Sequence, residues 1–325
     1  MKEQRQEVNH YSSLPEGKKP LSYPLAVSIV IPTYRREEVL LDTIAYLLRL
    51  GPAPVEILIV DQTPEHEKET ELALNKLAQA GKIRWLRLSE PSITHAMNVG
   101  LQQASQAIVL FLDDDIIPCA DLIAAHAIAQ SKPGCNVVVG QVLQPGEVPI
   151  SGKGIDGKFQ FCSTQRQFVG EFIGCNFSVK REEALRLGGF DENFVQVAYR
   201  YEAEYSSRVL AAGGRILFEP DASIRHLKTT AGGTRSYGQH LTTIKPSHSV
   251  GEYYYALRAK GITNRWFKIL ARPLRSIRTR HHLTRPWWIL PTLVAEALGL
   301  IWALFLALRG PRLIADIAGR QKNHE

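Results

Sequence analysis

Val109-Leu110-Phe111-Leu112-Asp113-Asp114-Asp115 decides how this chain is read. A run of apolar β-forming residues that ends in three adjacent carboxylates describes a buried strand bringing acids to its carboxyl end, where open α/β sheets bind their ligands. Three carboxylates at one strand end repel one another unless positive charge sits among them, and a hard divalent cation with oxygen ligands meets that need. A turn or helix N-cap is the plain alternative, because Asp serves both and Pro118 with Asp121 announces a helix soon after. A cap uses one carboxylate, so the triple points to a cation site.

The same theme recurs upstream. Ala26-Val27-Ser28-Ile29-Val30-Ile31-Pro32 is an apolar, β-branched run stopped by proline, and Val55-Glu56-Ile57-Leu58-Ile59-Val60-Asp61 is another strand closing on an acid. Residues 36–50 carry apolar positions at helical spacing, with acids early and Arg49 late, as the helix macrodipole favours. Helices over 67–80 and 94–103 and a strand over 83–88 fill the interval to the acid cluster. Alternating strands and helices predict an α/β fold with a doubly wound, mostly parallel sheet sandwiched by helices. Downstream, the pattern predicts helices over 121–130, 181–187 and 202–212, a strand near 136–140, an irregular Gly/Pro-rich segment over 144–157, and a strand over 171–179. Two further strands are expected at 215–218 and 222–226. The sequence shows no internal repeat.

With 325 residues, 45% hydrophobic and 22% charged, the chain has material for a sizeable core, which excludes a disordered protein. The net charge of +7 is concentrated in the tail, where residues 261–325 hold eleven Lys and Arg against three Asp and Glu. Cys119, Cys135, Cys162 and Cys175 show neither CxxC spacing nor a dense framework, so a zinc knuckle and a disulfide scaffold are excluded and reduced thiols expected. Residues 1–20 are polar with no apolar signal segment, which places the globular part in the cytoplasm as an expectation. The expected organisation is a polar lead-in over 1–25, a globular α/β domain over 26–245 and a basic, apolar helical region over 246–325.

Within that tail, residues 287–308 hold one charge, Glu296, and at 1.5 Å per residue such a run is long enough for a bilayer core of about 30 Å. Arginines flank it on both sides, so the positive-inside rule assigns no orientation, and Pro291, Glu296 and Gly299 weaken a simple spanning helix. Spanning, lying in the plane of the membrane and packing on the globular domain all remain open. Nucleic acid is a poor partner, because the basic residues flank an apolar run instead of interleaving with aromatics on a polar face.

Several of these motifs stand in an order that resembles the family 2 glycosyltransferases of the GT-A fold: Val27 to Tyr34, Val60-Asp61, Asp113-Asp114-Asp115, Gly174 to Val179 with Gly188-Gly189-Phe190-Asp191-Glu192, and 202–208. The match covers about residues 27–235. It implies an inverting enzyme that moves a sugar from a nucleotide diphosphate sugar to an acceptor hydroxyl, in cell-surface polysaccharide or glycolipid synthesis. On that resemblance Thr33, Tyr34 and Asp61 hold the donor nucleotide, and Asp113 and Asp115 are the outer members of a DxD motif with Asp114 between them at the donor. Asp115 is the foremost ligand of Mg²⁺ or Mn²⁺, and His226 stands where related enzymes place a histidine near the metal. Arg235, in the glycine loop Ala231-Gly232-Gly233-Thr234-Arg235, would reach the diphosphate, and Glu202 takes the position of the catalytic base with Glu204 as competitor. The family more often has Glu-Asp where this chain has Tyr201-Glu202. Trp85, Asn98 and Gly100 match a further family segment, with Met97 where an arginine is common. The acceptor is expected to be a sugar, a lipid-linked sugar or a polymer precursor, with the basic apolar tail holding the enzyme at the inner face of the cell membrane. Two alternatives remain: a nucleotidyltransferase, which would want glycines after the first strand that Pro32-Thr33-Tyr34-Arg35-Arg36 lacks, and a membrane-tethered sugar-nucleotide-binding protein without transfer activity.

Overall fold

The computed structural model describes residues 26–314 except 52, 153, 155, 156 and 260–263, so the lead-in expected over 1–25 and the end of the tail lie outside the described residues. Each apolar run of the N-terminal part becomes a strand. β1 (Val27–Thr33), β2 (Glu56–Asp61), β3 (Arg84–Arg87) and β4 (Ile108–Leu112) run parallel and alternate with α1 (Glu38–Leu48), α2 (Lys68–Gln79) and α3 (Ile93–Gln103). Side chains along a strand alternate in direction, so Ile29 and Ile31 enter one core with Leu40 and Ile44 of α1. Val30 enters the opposite core with Met97 and Leu101 of α3. The sheet is thus covered on both faces, which is why its strands read as continuous apolar runs.

Beyond β4 the sheet becomes mixed. β5 (Ile116–Pro118), α4 (Leu122–Gln130), β6 (Val137–Leu143), β7 (Gln167–Val169), β8 (Asn176–Lys180), α5 (Arg181–Arg186), α6 (Tyr201–Ala211) and β9 (Ile216–His226) complete it. The strand order is β3-β2-β1-β4-β8-β6-β9-β5, with β7 paired to β9. β8 runs antiparallel to β4 and to β6. Phe111 of β4 stacks on Phe177 of β8 at 5.0 Å, and Phe190 meets Phe111 edge-on at 5.4 Å. Losing a buried ring of this kind costs about 3–5 kcal/mol, so the acids that follow β4 stand on a stiff floor.

Three expectations change. The strand expected over 171–179 starts only at Asn176, because Gly174 and Cys175 form a turn and the Cys175 carbonyl accepts from Asp113 N at 3.3 Å. The strands expected at 215–218 and 222–226 are one strand, β9, whose register against β6 slips between Gly140 and Gln141. Pro220 has no N–H to offer the ladder there, and Asn176 fills the gap by donating from Nδ2 to Gln141 O at 3.1 Å and Ala222 O at 2.8 Å. A Cβ at Gly140 would stand 2.1 Å from Ala222 O, so this bulge needs glycine. The third change is β5, which falls where the sequence announces only a turn before α4. It pairs antiparallel with β9, setting Ile116 opposite His226 and so bringing that histidine to the acids.

The helical tail packs on this domain. α7 (Val250–Arg258), α8 (Arg265–Ile277), α9 (Arg280–Thr284) and α10 (Ile289–Arg309) follow, and Tyr253, Tyr254, Ala303 and Leu306 share the core that holds Phe111. Thr292, Ala295, Glu296, Gly299, Ala303 and Leu306 form one buried stripe along α10 at helical spacing. At Gly299 a Cβ would lie 2.1 Å from Ser249 Oγ, which lets the helix approach closely. Glu296, the charge that interrupts the apolar window, accepts from Tyr253 Oη at 2.7 Å and pairs with Arg272 Nε at 3.0 Å. It is a latch between α7, α8 and α10. Among the described residues, 286–309 is the one helical segment long and apolar enough by length and composition to cross a membrane.

Candidate active site

At the carboxyl ends of β1 and β4 a cleft of about 220 Å³ is lined by residues that include Thr33, Tyr34, Gln62, Asp113, Asp115, His226 and Arg235. Asp113, Asp115 and His226 each offer one ligand atom, and these atoms lie within 4.8 Å of one another. His226 Nε2 stands 3.1 Å from Asp115 Oδ1 and 3.5 Å from Asp113 Oδ2. Its Nδ1 lies 3.1 Å from Gln144 Oε1, a contact that orients the ring with Nε2 toward the two carboxylates. Two carboxylates and one oriented imidazole fit a hard divalent cation such as Mg²⁺ or Mn²⁺.

The three acids live in different surroundings. Asp113, partly exposed in the cleft, is pushed up to about 6 by loss of solvent, although the His226 charge pulls the other way. Burial pushes Asp114 up to about 7 against the pull of Arg36. Burial also opposes the charge on Asp115, yet His226, Arg36 and Thr229 outweigh it and hold that carboxyl below its ordinary value. Asp115 Oδ2 accepts from Thr229 N at 2.9 Å and from Thr229 Oγ1 at 2.8 Å, leaving Oδ1 toward His226. Asp114 is turned inward: Oδ2 accepts from Thr33 Oγ1 at 2.7 Å and Oδ1 faces Arg36 Nε at 3.2 Å. Asp114 and Thr33 both line the cleft and are bound to each other there.

Arg36 is the residue that sequence reading missed. It sits just before α1, is buried, reaches Asp114 and Asp115, and donates to Thr229 Oγ1 and Ala231 O. The glycine loop closes over it: Gly233 N donates to Tyr34 O at 2.7 Å, and a Cβ at Gly232, whose φ is +74°, would lie 2.2 Å from Arg35 O. The loop thus docks on the end of β1 and leads into a 3₁₀ turn, Gly233–Tyr237, with Arg235 exposed at the cleft rim. Spacing alone offers no signal for Arg36, whose partners are about eighty and two hundred residues away.

Asp61 does not reach the cleft. It is fully buried, its Oδ2 accepts from Trp85 Nε1 at 2.9 Å and meets His66 Nε2 at 2.7 Å, and its Oδ1 accepts from Thr63 N at 2.8 Å. Its neighbour Gln62 lines the cleft in its place. Asn98 is likewise structural, clamping the 188–191 turn through bonds to Phe190 O and N at 2.8 Å each.

Glu202 and Glu204 share the first turn of α6 but differ in company. Arg208 takes both oxygens of Glu204, at 2.7 and 2.8 Å. Among the described residues Glu202 has no such partner; burial pushes it up to about 7, its own backbone N–H and Arg200 oppose that, and Glu171 and Asp113 add to it. The segment before it is strained, with Gln196, Ala198 and Arg200 at φ of 58°, 53° and 77°. The helix start that favours ionisation in principle is thus overridden by burial beside other acids.

A mixed sheet between helices, parallel in its N-terminal half, with acids at the carboxyl end of a central strand, is the GT-A type of fold. The sequence model of the family described as Glycosyl transferase family 2 matches residues 28–179. The crystal structure of GalNAc-T7 with UDP, GalNAc and Mn²⁺ is similar over 80% of this chain and 57% of its own, at 18% identity and a TM-score of 0.54. The mannosyltransferase PcManGT from Pyrobaculum calidifontis, in complex with GDP-Man and Mn²⁺, is similar over 98% of this chain and 86% of its own, at 20% identity and a TM-score of 0.53. The chain spans little more than half the length of GalNAc-T7. No curated protein sequence matches the chain.

Proposed function

We propose that the protein is a metal-dependent, inverting glycosyltransferase that uses a nucleotide diphosphate sugar. The observation that carries this reading is the convergence of Asp113, Asp115 and His226 at the end of β4, a strand inside the segment that matches the family 2 model. The nucleotides and Mn²⁺ in the two similar structures support it. Asp113, Asp115 and His226 would hold the cation, which when bound neutralises negative charge on the donor diphosphate. Tyr34 and Tyr237 line the cleft as faces for the nucleotide base, and Arg235 stands at the rim for the phosphates. Glu202 takes the proton of the acceptor hydroxyl. The oxygen then bonds to the anomeric carbon from the side opposite the diphosphate, and the carbon–oxygen bond to the diphosphate breaks with its electrons leaving on the nucleotide. Glu204, held by Arg208, keeps α6 in place instead.

The tail supports a site at the membrane. Trp266, Phe267, Leu270 and Leu274 of α8 and Ile301, Phe305 and Leu308 of α10 are exposed, with Arg278 exposed just past the end of α8. With its opposite stripe packed on the domain and Glu296 latched inward, α10 lies in the plane of an anionic surface, at the inner face of the cell membrane.

Donor binding tests the proposal. In the presence of Mn²⁺, UDP or GDP raises the unfolding temperature, since a ligand at a hundred times its Kd stabilises by about 2.7 kcal/mol. Asp115→Asn removes that response and Asp114→Asn keeps it; the reverse ranking overturns the assignment of the ligands.

A further inference from the structure

A second cavity, of about 790 Å³, opens between α7 and α8. That is within the size of small-molecule sites, roughly 300–1,000 Å³. Four cations stand in its wall, Arg200, Lys268, Arg272 and Arg275, against one acid, Glu252. Arg200 Nε is bound to Glu252 Oε2 at 2.8 Å, and Arg272 is spent on Glu296 at 3.0 Å. Among the described residues, Lys268 and Arg275 have no carboxylate partner, and both are exposed. They sit two turns apart on α8 and face the same space. His240, in the same wall, is held below its ordinary value by burial and then by His248, Arg272 and His282, so the surroundings are positive.

The place of the cavity matters as much as its charge. Arg200 lies two residues before Glu202, and its charge reaches that carboxyl. On the other side, α8 carries the exposed Trp266, Phe267 and Leu270. The cavity therefore lies between the proposed catalytic base and the apolar surface of the tail. Unpaired Lys and Arg in a concave wall recognise a phosphate group, the guanidinium by paired hydrogen bonds and the ammonium as a point charge.

We propose that this cavity binds a phosphate group on the acceptor, so that the sugar is transferred to an anionic, phosphate-bearing molecule. The proposal rests on the transferase reading for the word acceptor, while the binding site stands on its own residues.

The test is isothermal titration of the full chain with geranyl phosphate, geraniol and inorganic phosphate, alongside the double variant Lys268→Gln, Arg275→Gln. Geranyl phosphate is expected to bind, geraniol not, and the double variant to bind at least tenfold more weakly, as loss of two charged contacts at about 1.4 kcal/mol per factor of ten allows. Tighter binding of geranyl phosphate than of inorganic phosphate supports a lipid-linked phosphate, and equal binding supports a soluble phosphorylated acceptor. No binding of either phosphate, or equal affinity in the double variant, overturns the proposal. Thermal shift with UDP or GDP and Mn²⁺ reads the donor cleft separately, so a missing donor response with intact phosphate binding removes the transferase reading and leaves this site standing.

Discussion

Replacing Glu202 by Gln separates its proposed chemistry from its cost to the fold. Burial beside Glu171 and Asp113 raises this carboxyl from an ordinary 4.5 to about 7. The folded protein therefore holds a proton on Glu202 between those values that the unfolded chain has lost, and stability falls as pH rises from 4.5 to 7. Above pH 7 the ionised side chain opposes folding by about 3 kcal/mol at 1.36 kcal/mol per pH unit, reduced to about 1–3 kcal/mol by solvent at its open edge. Gln carries no such burden. Glu202→Gln should match the parent in urea denaturation at pH 4.5 and exceed it by about 1–3 kcal/mol at pH 8. Its transfer rate should fall by about 10²–10⁴, the usual contribution of a general base, while binding of UDP or GDP with Mn²⁺ is unchanged. The parent's rate should rise through a midpoint near pH 7 that the variant lacks. Full activity in the variant, or equal stability difference at both pH values, refutes the assignment.

Arg36→Ala leaves Asp114 and Asp115 without the buried cation they share, and should cost about 3–5 kcal/mol in urea denaturation. Part of that loss should return on adding Mn²⁺; no return would mean the acids are not the cation's ligands. Leu270→Glu with Leu274→Glu should abolish co-flotation with vesicles containing phosphatidylglycerol, and the parent's binding should weaken as salt shortens the screening length from about 10 Å at 0.1 M to about 3 Å at 1 M. Binding by the variant equal to that of the parent would place the lipid contact elsewhere.

Much of this protein is written in local pattern. The apolar runs over 27–32, 56–60 and 109–112 became parallel strands, and the acids at their ends fell at one edge of the sheet, because period and residue type act within a few positions. The family motifs were legible for the same reason. What local pattern leaves open is which carboxylate stays free. Asp114 is bound by Thr33, eighty-one residues away, Asp61 by His66 and Trp85, and Glu204 by Arg208, while Asp113 and Asp115 meet His226 only because β5 pairs with β9. Glu296 looked like a flaw in an apolar run until Tyr253 and Arg272 closed on it. A side chain's chemistry depends on the charges and hydrogen-bond partners within a few ångströms, and those neighbours arrive from distant parts of the chain when the sheet closes. Sequence alone determined the fold class, the acid motif and the kind of cation it suits. Tertiary structure decided which acids face His226 in the cleft, since pairing across the fold, and not spacing along it, sets the partners of each carboxylate.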